Sequence, residues 1–146
     1  MNFVSLDDLP KKIPIFPLTG AVLFPKTQLP LNIFEPRYVQ MLNAALATPH
    51  KLIGMIQPIA GSDNSLKKVG CVGRGTSYNE TDDHRYLITL NGIIRFEIEN
   101  ELDTTTQYRQ IEVNYENFIT DLKSEDVTNV DRESLLKLIK KYLKNK

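Results

Sequence analysis

Ile13-Pro-Ile-Phe-Pro-Leu-Thr-Gly-Ala-Val-Leu-Phe-Pro25 interleaves apolar residues with three prolines. Proline lacks an N–H group and is tolerated in β-sheets mainly at edges, ends and bulges. The stretch therefore predicts a short, bent strand at Ile13–Leu18, a turn-rich loop, and a second short strand at Leu29–Phe34. Because the loop is itself apolar from Val22 to Phe24, part of it must pack inward or meet a partner.

A helix is predicted directly after the second strand. Proline is well tolerated in the first turn of a helix, and Pro36 is followed by apolar residues at i, i+3, i+4, i+7 and i+8. These are Tyr38, Met41, Leu42, Ala45 and Leu46. The pattern indicates an amphipathic helix of about ten residues that ends before Pro49.

Short apolar or alternating runs predict further strands at Leu52–Gln57, Lys68–Tyr78, Tyr86–Leu90, Ile93–Glu99 and Tyr108–Tyr115. Three glycines in the Lys68–Tyr78 run suggest bulges and strong curvature. The Asn91-Gly92 pair is the strongest hairpin signal in the sequence. Six or so short strands with a mid-chain and a terminal helix describe an α+β fold dominated by β-structure.

The last part of the chain predicts a linker and a helix. An acidic run at Asp121–Asp126 precedes Asp131, which can cap a helix. The apolar face of that helix consists of Leu135, Leu138, Ile139, Tyr142 and Leu143. We therefore divide the chain into a folded domain, 1–122, and a linker with an amphipathic helix, 123–146.

Composition limits the functions to consider. With 146 residues, 41% of them hydrophobic, the chain is long enough for one domain with its own core. Eighteen basic and eighteen acidic residues give no net charge, which disfavours non-specific nucleic-acid binding. No apolar run approaches the roughly 20 residues of a membrane span. The single cysteine, Cys71, lies in a predicted strand core, which favours a reducing cytoplasm.

Five segments resemble, in order, the N-terminal substrate-binding domain of the Lon proteases. They are Ile13–Leu18, Val22–Pro25, Leu29–Tyr38, Val69–Arg74 and Tyr86–Phe96. The run Ile33–Tyr38 is more similar to small free-standing members than to the protease itself. The resemblance, from about residue 11 to residue 122, implies a PUA-like pseudo-barrel of about six strands with one packed helix. His84 stands where relatives commonly have glycine, which leaves a different hairpin backbone open.

The sequence offers no arrangement that favours catalysis. No phosphate-binding loop with lysine is present, so the ATPase of a Lon protease is not expected, nor is its Ser-Lys peptidase. Cys71 is interpreted as an inert core thiol, distant in sequence from His50 and His84. No pair of candidate ligands has the short spacing that is typical of zinc sites. Asp82 and Asp83 are interpreted as turn formers. We expect no catalytic residue, metal or cofactor.

The resemblance implies a binding module that recognises exposed apolar or unfolded polypeptide. Polypeptide clients or a protease are then the expected partners, with no membrane partner. The residues predicted to contact the client are Phe24, Pro25, Phe34, Glu35, Arg37, Tyr38 and Tyr78, although core packing is an alternative for the apolar ones and a structural ion pair for Glu35 and Arg37.

Two other functions stay open. One is RNA binding, because PUA-like folds also occur in RNA-modifying proteins; it would need a basic, aromatic-lined face, and the zero net charge argues against it. The other is pure assembly, through a weak homodimer formed by Leu135, Leu138, Ile139 and Tyr142.

Overall fold

Six strands and one α-helix form the framework of the computed structural model, which describes residues 6–61 and 64–122. The strands are β1 (Lys12–Pro17), β2 (Gln28–Ile33), β3 (Leu52–Ile56), β4 (Val69–Glu80), β5 (Tyr86–Glu101) and β6 (Gln110–Asn114). The helix, α1, spans Pro36–Leu46, and short 3-10 helices lie at Leu6–Asp8 and Glu116–Leu122. The predicted β-dominated α+β fold of about six strands with a packed helix is confirmed. The predicted C-terminal helix falls in 123–146, outside the described residues.

Strand β5 closes the sheet into a barrel. The strand order is β2-β5-β4-β3-β1-β6, and β6 returns to pair with β5. β4 runs along one edge of β5, while the other edge is shared: Tyr86–Asn91 faces β2 and the segment from Glu97 to Glu101 faces β6. Five strands therefore form a closed ring, and β2 lies outside it, where among the described residues it pairs with the first half of β5.

The barrel interior is filled by side chains from all five of its strands. The fully buried ones include Ile13, Ile15, Val72, Ile94, Phe96 and Ile111. Gly70 leaves space for the Phe96 ring, since a β-carbon there would lie 2.6 Å from Phe96 Cζ. The register of β4 against β5 shifts at Val72/Gly73 and again at Gly75/Ser77, which confirms the bulges predicted from the glycines.

A second apolar cluster lies between the outside of the barrel, β2 and α1. Its helix residues are Tyr38, Met41, Leu42 and Ala45, all buried. The predicted apolar face of α1 is therefore confirmed. The helix begins with Pro36 in its first turn and ends at Leu46, where the Thr48 hydroxyl donates to the carbonyl of Ala45 at 2.7 Å.

The hairpin predicted at Asn91-Gly92 is wrong, because β5 continues through both residues. Gly92 serves instead as a place of close approach. Its N–H donates to Thr27 O at 2.8 Å, its carbonyl accepts from Lys26 N at 2.8 Å, and an added β-carbon would lie 1.9 Å from Phe24 O. The hairpin signal depends on neighbouring residues alone. Glycine is required at this position because a loop from a distant part of the sequence packs against it.

Two further predictions concern His84, in the turn after β4, and Asp121, near the C-terminal end of the described residues. His84, in the turn from β4 to β5, takes φ +62°, the left-handed region that favours glycine. Asp121, predicted to start an acidic linker, is instead buried in the 3-10 helix Glu116–Leu122. It accepts from Arg95 Nε and Nη2, both at 2.9 Å, so Asp121 and Arg95 form a structural ion pair.

Candidate functional site

A groove of about 650 Å³ that could hold a ligand lies beside β2. One wall is the segment from Phe16 to Ala21, and the other runs from Leu29 to Glu35. Arg37 and Tyr38, from the first turn of α1, complete the lining. We call this feature the β2 groove. Its volume lies within the range of a few hundred to a thousand Å³ that is usual for ligand sites.

The local sequence explains why the groove forms. β1 ends at Pro17, although the Leu18 N–H still donates to Ile56 O at 3.1 Å. Gly20, with φ +81°, then turns the chain away from the barrel. The chain packs on the barrel again through Leu23 and the loop at Gly92, and it then enters β2, which pairs with β5 rather than with β1. The space between the two segments is therefore left without a strand.

Aromatic rings form the base and the rim of the β2 groove. Phe16 and Tyr38 are buried, and their ring centroids lie 4.3 Å apart. Phe34 is 58% exposed, and its ring lies 5.2 Å below the guanidinium of Arg85. A phenylalanine that remains this exposed beside an apolar groove is a candidate for contact with a partner.

The charges in the β2 groove are balanced. Of the residues that line it, two are charged, Glu35 and Arg37, and they form an exposed ion pair with 3.4 Å between Nε and Oε2. The Arg37 guanidinium also lies 4.7 Å from the Tyr38 ring centre. Burial raises the pKa of Tyr38, while Arg37 lowers it and Glu35 raises it. The phenol therefore stays neutral at physiological pH, and the groove has no net charge.

Four of the seven predicted contact residues lie in the β2 groove: Phe34, Glu35, Arg37 and Tyr38. The other three lie elsewhere. Pro25 is buried and Phe24 half-buried in the loop that crosses Gly92. Tyr78 is 46% exposed on β4, where its ring is stacked on Tyr86 at 5.6 Å.

Sequence reasoning missed the opposite wall of the β2 groove. The sequence pattern places Phe16 and Leu18 in a strand and Ala21 in a loop. No local pattern marks these residues as lining a site. The available signal was the excess of apolar residues in 13–25, which predicts that part of the loop packs inward or meets a partner.

The reactive groups considered above have structural roles or are inaccessible. Cys71 is buried, and burial raises the pKa of its thiol far above the ordinary value, which confirms the interpretation as a core thiol. Asp83 is exposed, accepts from the Thr81 hydroxyl and pairs with Arg85, as expected of a turn aspartate. Across 6–61 and 64–122, no three His, Cys, Asp or Glu side chains are grouped so that they could hold a metal ion.

Within the part of the chain that the structure describes, none of the helices is long and apolar enough to span a membrane.

Comparison with known proteins relates this architecture to one family. The family model described as the ATP-dependent protease La (LON) substrate-binding domain matches residues 12–146. Similar proteins include a Lon protease of Parabacteroides distasonis, 32% identical over 135 residues and 88% of this chain. Lon protease 2 of Sorangium cellulosum is 29% identical over 119 residues, or 77% of this chain. This chain spans 15% of the length of each.

Solved structures show the same fold. A Lon N-terminal domain protein from Xanthomonas campestris superposes with a TM-score of 0.61 at 23% identity, over 71% of this chain and 59% of that one. The N-terminal domain of a Lon protease from the Mycobacterium avium complex has a TM-score of 0.61 at 13% identity, over 82% of this chain and 59% of its own. With a family match across nearly the whole sequence and a shared fold, this chain belongs to the Lon substrate-binding domain family.

Proposed function

We propose that this protein binds exposed apolar segments of poorly folded polypeptides in the β2 groove. The observation that carries the proposal is the exposed Phe34 at the rim of a neutral groove whose base is the Phe16 and Tyr38 ring pair. Family membership supports it, because the matched model is that of a substrate-binding domain. The bound segment would belong to a client, which the protein would hold for itself or hand to a protease.

The physical basis of this binding is burial of apolar surface. Covering a few hundred Å² of apolar surface contributes about 25 cal/mol per Å². Part of this is offset by the loss of freedom of the bound segment. We therefore expect dissociation constants in the micromolar range or weaker.

RNA binding receives less support from the groove. Recognition of single-stranded RNA needs stacking surfaces inside a basic channel that follows the phosphates. In the β2 groove the one cation, Arg37, is paired with Glu35. The alternative of assembly through Leu135, Leu138, Ile139 and Tyr142 lies outside the described residues and stays a prediction, as does the division of the chain at residue 122.

The test compares an unfolded polypeptide with the same polypeptide in its folded form. Reduced, carboxymethylated lactalbumin carries a fluorescent label, and binding is measured by anisotropy, with native lactalbumin as the folded control. We expect binding of the unfolded form alone. Phe34→Ala should weaken it about tenfold, since an exposed aromatic side chain is a typical hot spot.

Ile119→Ala is the matched control variant, because Ile119 is also a large exposed apolar residue, 53% exposed, but lies outside the groove. Its affinity should stay within twofold of the wild type. Equal binding by the wild type and Phe34→Ala, with both proteins folded, would rule out the β2 groove. Absence of binding to unfolded lactalbumin would contradict the proposed function.

A further inference from the structure

We propose that the client is held as an added β-strand, hydrogen-bonded to the open edge of β2. This inference rests on the proposed function and specifies how the same groove recognises its ligand. It makes main-chain pairing, and not only the burial of apolar side chains, part of the recognition. The preferred ligand is then a segment that can be fully extended.

The β2 groove is bordered by the edge of a strand and not by one of its faces. Successive side chains of a strand point to opposite faces, so a site on one face would be lined by alternate residues. Here every residue from Leu29 to Glu35 contributes. Among residues 6–61 and 64–122, β2 has β5 as its one partner strand, and its other edge is unpaired.

The pairing with β5 shows which groups of β2 are directed into the groove. The Gly92 N–H donates to Thr27 O at 2.8 Å, and the register places Leu29 opposite Leu90. In an antiparallel pair, hydrogen-bonded positions recur at every second residue. Counting on from Thr27, the main chain of Leu29, Leu31 and Ile33 is therefore directed at β5.

The alternate residues Gln28, Pro30 and Asn32 consequently direct their main chain to the open edge. Pro30 is consistent with this assignment, because proline in a sheet lies on an edge strand with its nitrogen turned away from the partner. The central part of the edge presents the carbonyls of Pro30 and Asn32 and the N–H of Asn32. These are the donor and acceptors that an incoming strand requires.

The shape of the groove also suits an extended segment. Its second wall, Phe16–Ala21, is again a run of consecutive residues. From Leu29 to Phe34 the edge is about 17 Å long, at roughly 3.3 Å per residue. That length accommodates about five residues of extended polypeptide, with alternate side chains directed at the apolar base.

Charge and the central proline favour a client segment over a second copy of this protein. The groove carries no unpaired charge, so an uncharged apolar segment is complementary to it. Edge-to-edge pairing of two copies would bring two prolines into one short ladder, and proline on an edge strand is a common device against such pairing. A single client strand needs only the carbonyls of Pro30 and Asn32 and the N–H of Asn32.

The test uses a client peptide with selected N–H groups blocked. The tightest-binding ten-residue segment is first selected from overlapping peptides of carboxymethylated lactalbumin. Two N-methylated versions of this peptide are then prepared. One is methylated at the odd-numbered residues and the other at the even-numbered residues. A strand paired along one edge uses alternate N–H groups. One version should therefore lose at least tenfold in affinity by fluorescence anisotropy, and the other should stay within threefold of the parent.

A variant of the protein tests the same contact from the other side. Asn32→Pro removes the N–H that is directed into the groove and leaves the bonds to β5 in place. It should therefore weaken binding of the parent peptide at least fivefold. Its fold is checked by circular dichroism. Pro30→Ala adds an N–H at the same edge and should bind at least as tightly as the wild type.

The outcomes separate this inference from the proposed function. Equal effects of the two methylated versions, with the parent still dependent on Phe34, would overturn strand addition and leave the proposed function standing. Failure of the parent peptide and of unfolded lactalbumin to bind would overturn both. A dimer in light scattering that the peptide dissociates would assign the edge to a second copy and overturn the inference.

Discussion

Gly92 shows how a single residue can be fixed by a contact from far away in the sequence. A β-carbon at this position would lie 1.9 Å from Phe24 O, so the loop before β2 would have to move. We expect Gly92→Ala to lower the free energy of unfolding by at least about 2 kcal/mol, because overpacking against main chain cannot be relieved by a rotamer change. Urea denaturation measures the loss.

The control for this prediction is Gly61→Ala. Gly61 has φ +79°, but nothing lies within 4 Å of the added carbon, so only the backbone conformation is penalised. The expected loss is about 1 kcal/mol. Losses of the same size in the two variants would show that the contact with Phe24 has no special cost.

Tyr115 predicts a dependence of stability on alkaline pH. Its hydroxyl donates to Pro10 O at 2.6 Å, and burial raises its pKa well above the ordinary 10.0. The folded state therefore keeps the proton at a pH at which the unfolded chain releases it. The contribution of this residue is fully present below pH 10, the unfolded value, and is lost as the pH rises above it.

The variant Tyr115→Phe removes both the hydroxyl and its titration. It should be less stable than the wild type at pH 7 by about 1 kcal/mol, the usual net value of a hydrogen bond. Between pH 9 and pH 11 it should lose less stability than the wild type. Urea midpoints at these pH values check the prediction, and parallel losses in the two proteins would contradict it.

At the scale of secondary-structure elements, one ion pair attaches the 3-10 helix Glu116–Leu122 to the barrel. Asp121 is 3% exposed and accepts from the main-chain N–H of Arg95 at 3.1 Å and from its guanidinium at 2.9 Å. The Phe118 ring lies 4.6 Å from the same guanidinium. Arg95 of β5 therefore contacts two residues of this helix, Phe118 and Asp121.

Removal of the buried carboxylate should destabilise the protein strongly. In Asp121→Asn the largely buried Arg95 loses its counter-charge, which typically costs about 3 kcal/mol or more. The matched control is Glu35→Gln, which breaks the exposed pair with Arg37 and should cost less than about 1 kcal/mol. Thermal and urea unfolding of the two variants compare them. A loss in Asp121→Asn no larger than that in the control would mean that the pair is not stabilising.

The prediction of individual elements succeeded where the signal was local. Pro36 and the apolar spacing that follows it define α1 through contacts three and four residues apart. The same reasoning divided β5 at Asn91-Gly92, because this pair usually marks a turn. Here the glycine is required by the contact with the loop before β2, and the strand continues. It also placed Asp121 at the start of an acidic run outside any predicted strand or helix, because nothing adjacent in sequence indicates that Arg95 is its partner.

At the scale of the whole molecule, closure of the barrel predicts how stability is distributed. The centre of β5, around Phe96, pairs with β4 in the closed ring, and the fully buried Phe96 side chain fills the barrel interior. β2 is outside the closed ring, with one open edge. Amides of Leu29, Leu31 and Ile33 should therefore exchange by local opening, and those near Phe96 only by global unfolding.

Amide hydrogen exchange followed by NMR checks this distribution under native conditions. We expect protection factors for the three β2 amides to be at least tenfold lower than for amides near Phe96. Uniform protection across β2 and β5 would show that β2 opens together with the barrel. Ligand binding along the open edge should raise the β2 values selectively.

The amino-acid sequence by itself determined the class of fold, the packed helix and the buried cysteine. These follow from apolar periodicity and proline spacing, which operate over a few residues. It also placed Phe34, Glu35, Arg37 and Tyr38 together, since they are neighbours along the chain. Only the tertiary structure decided the closure of the barrel, the role of Gly92, the Arg95 and Asp121 pair, and the second wall of the groove. Each of these joins residues that are not neighbours along the chain, and their energy depends on distances in space that local patterns do not encode.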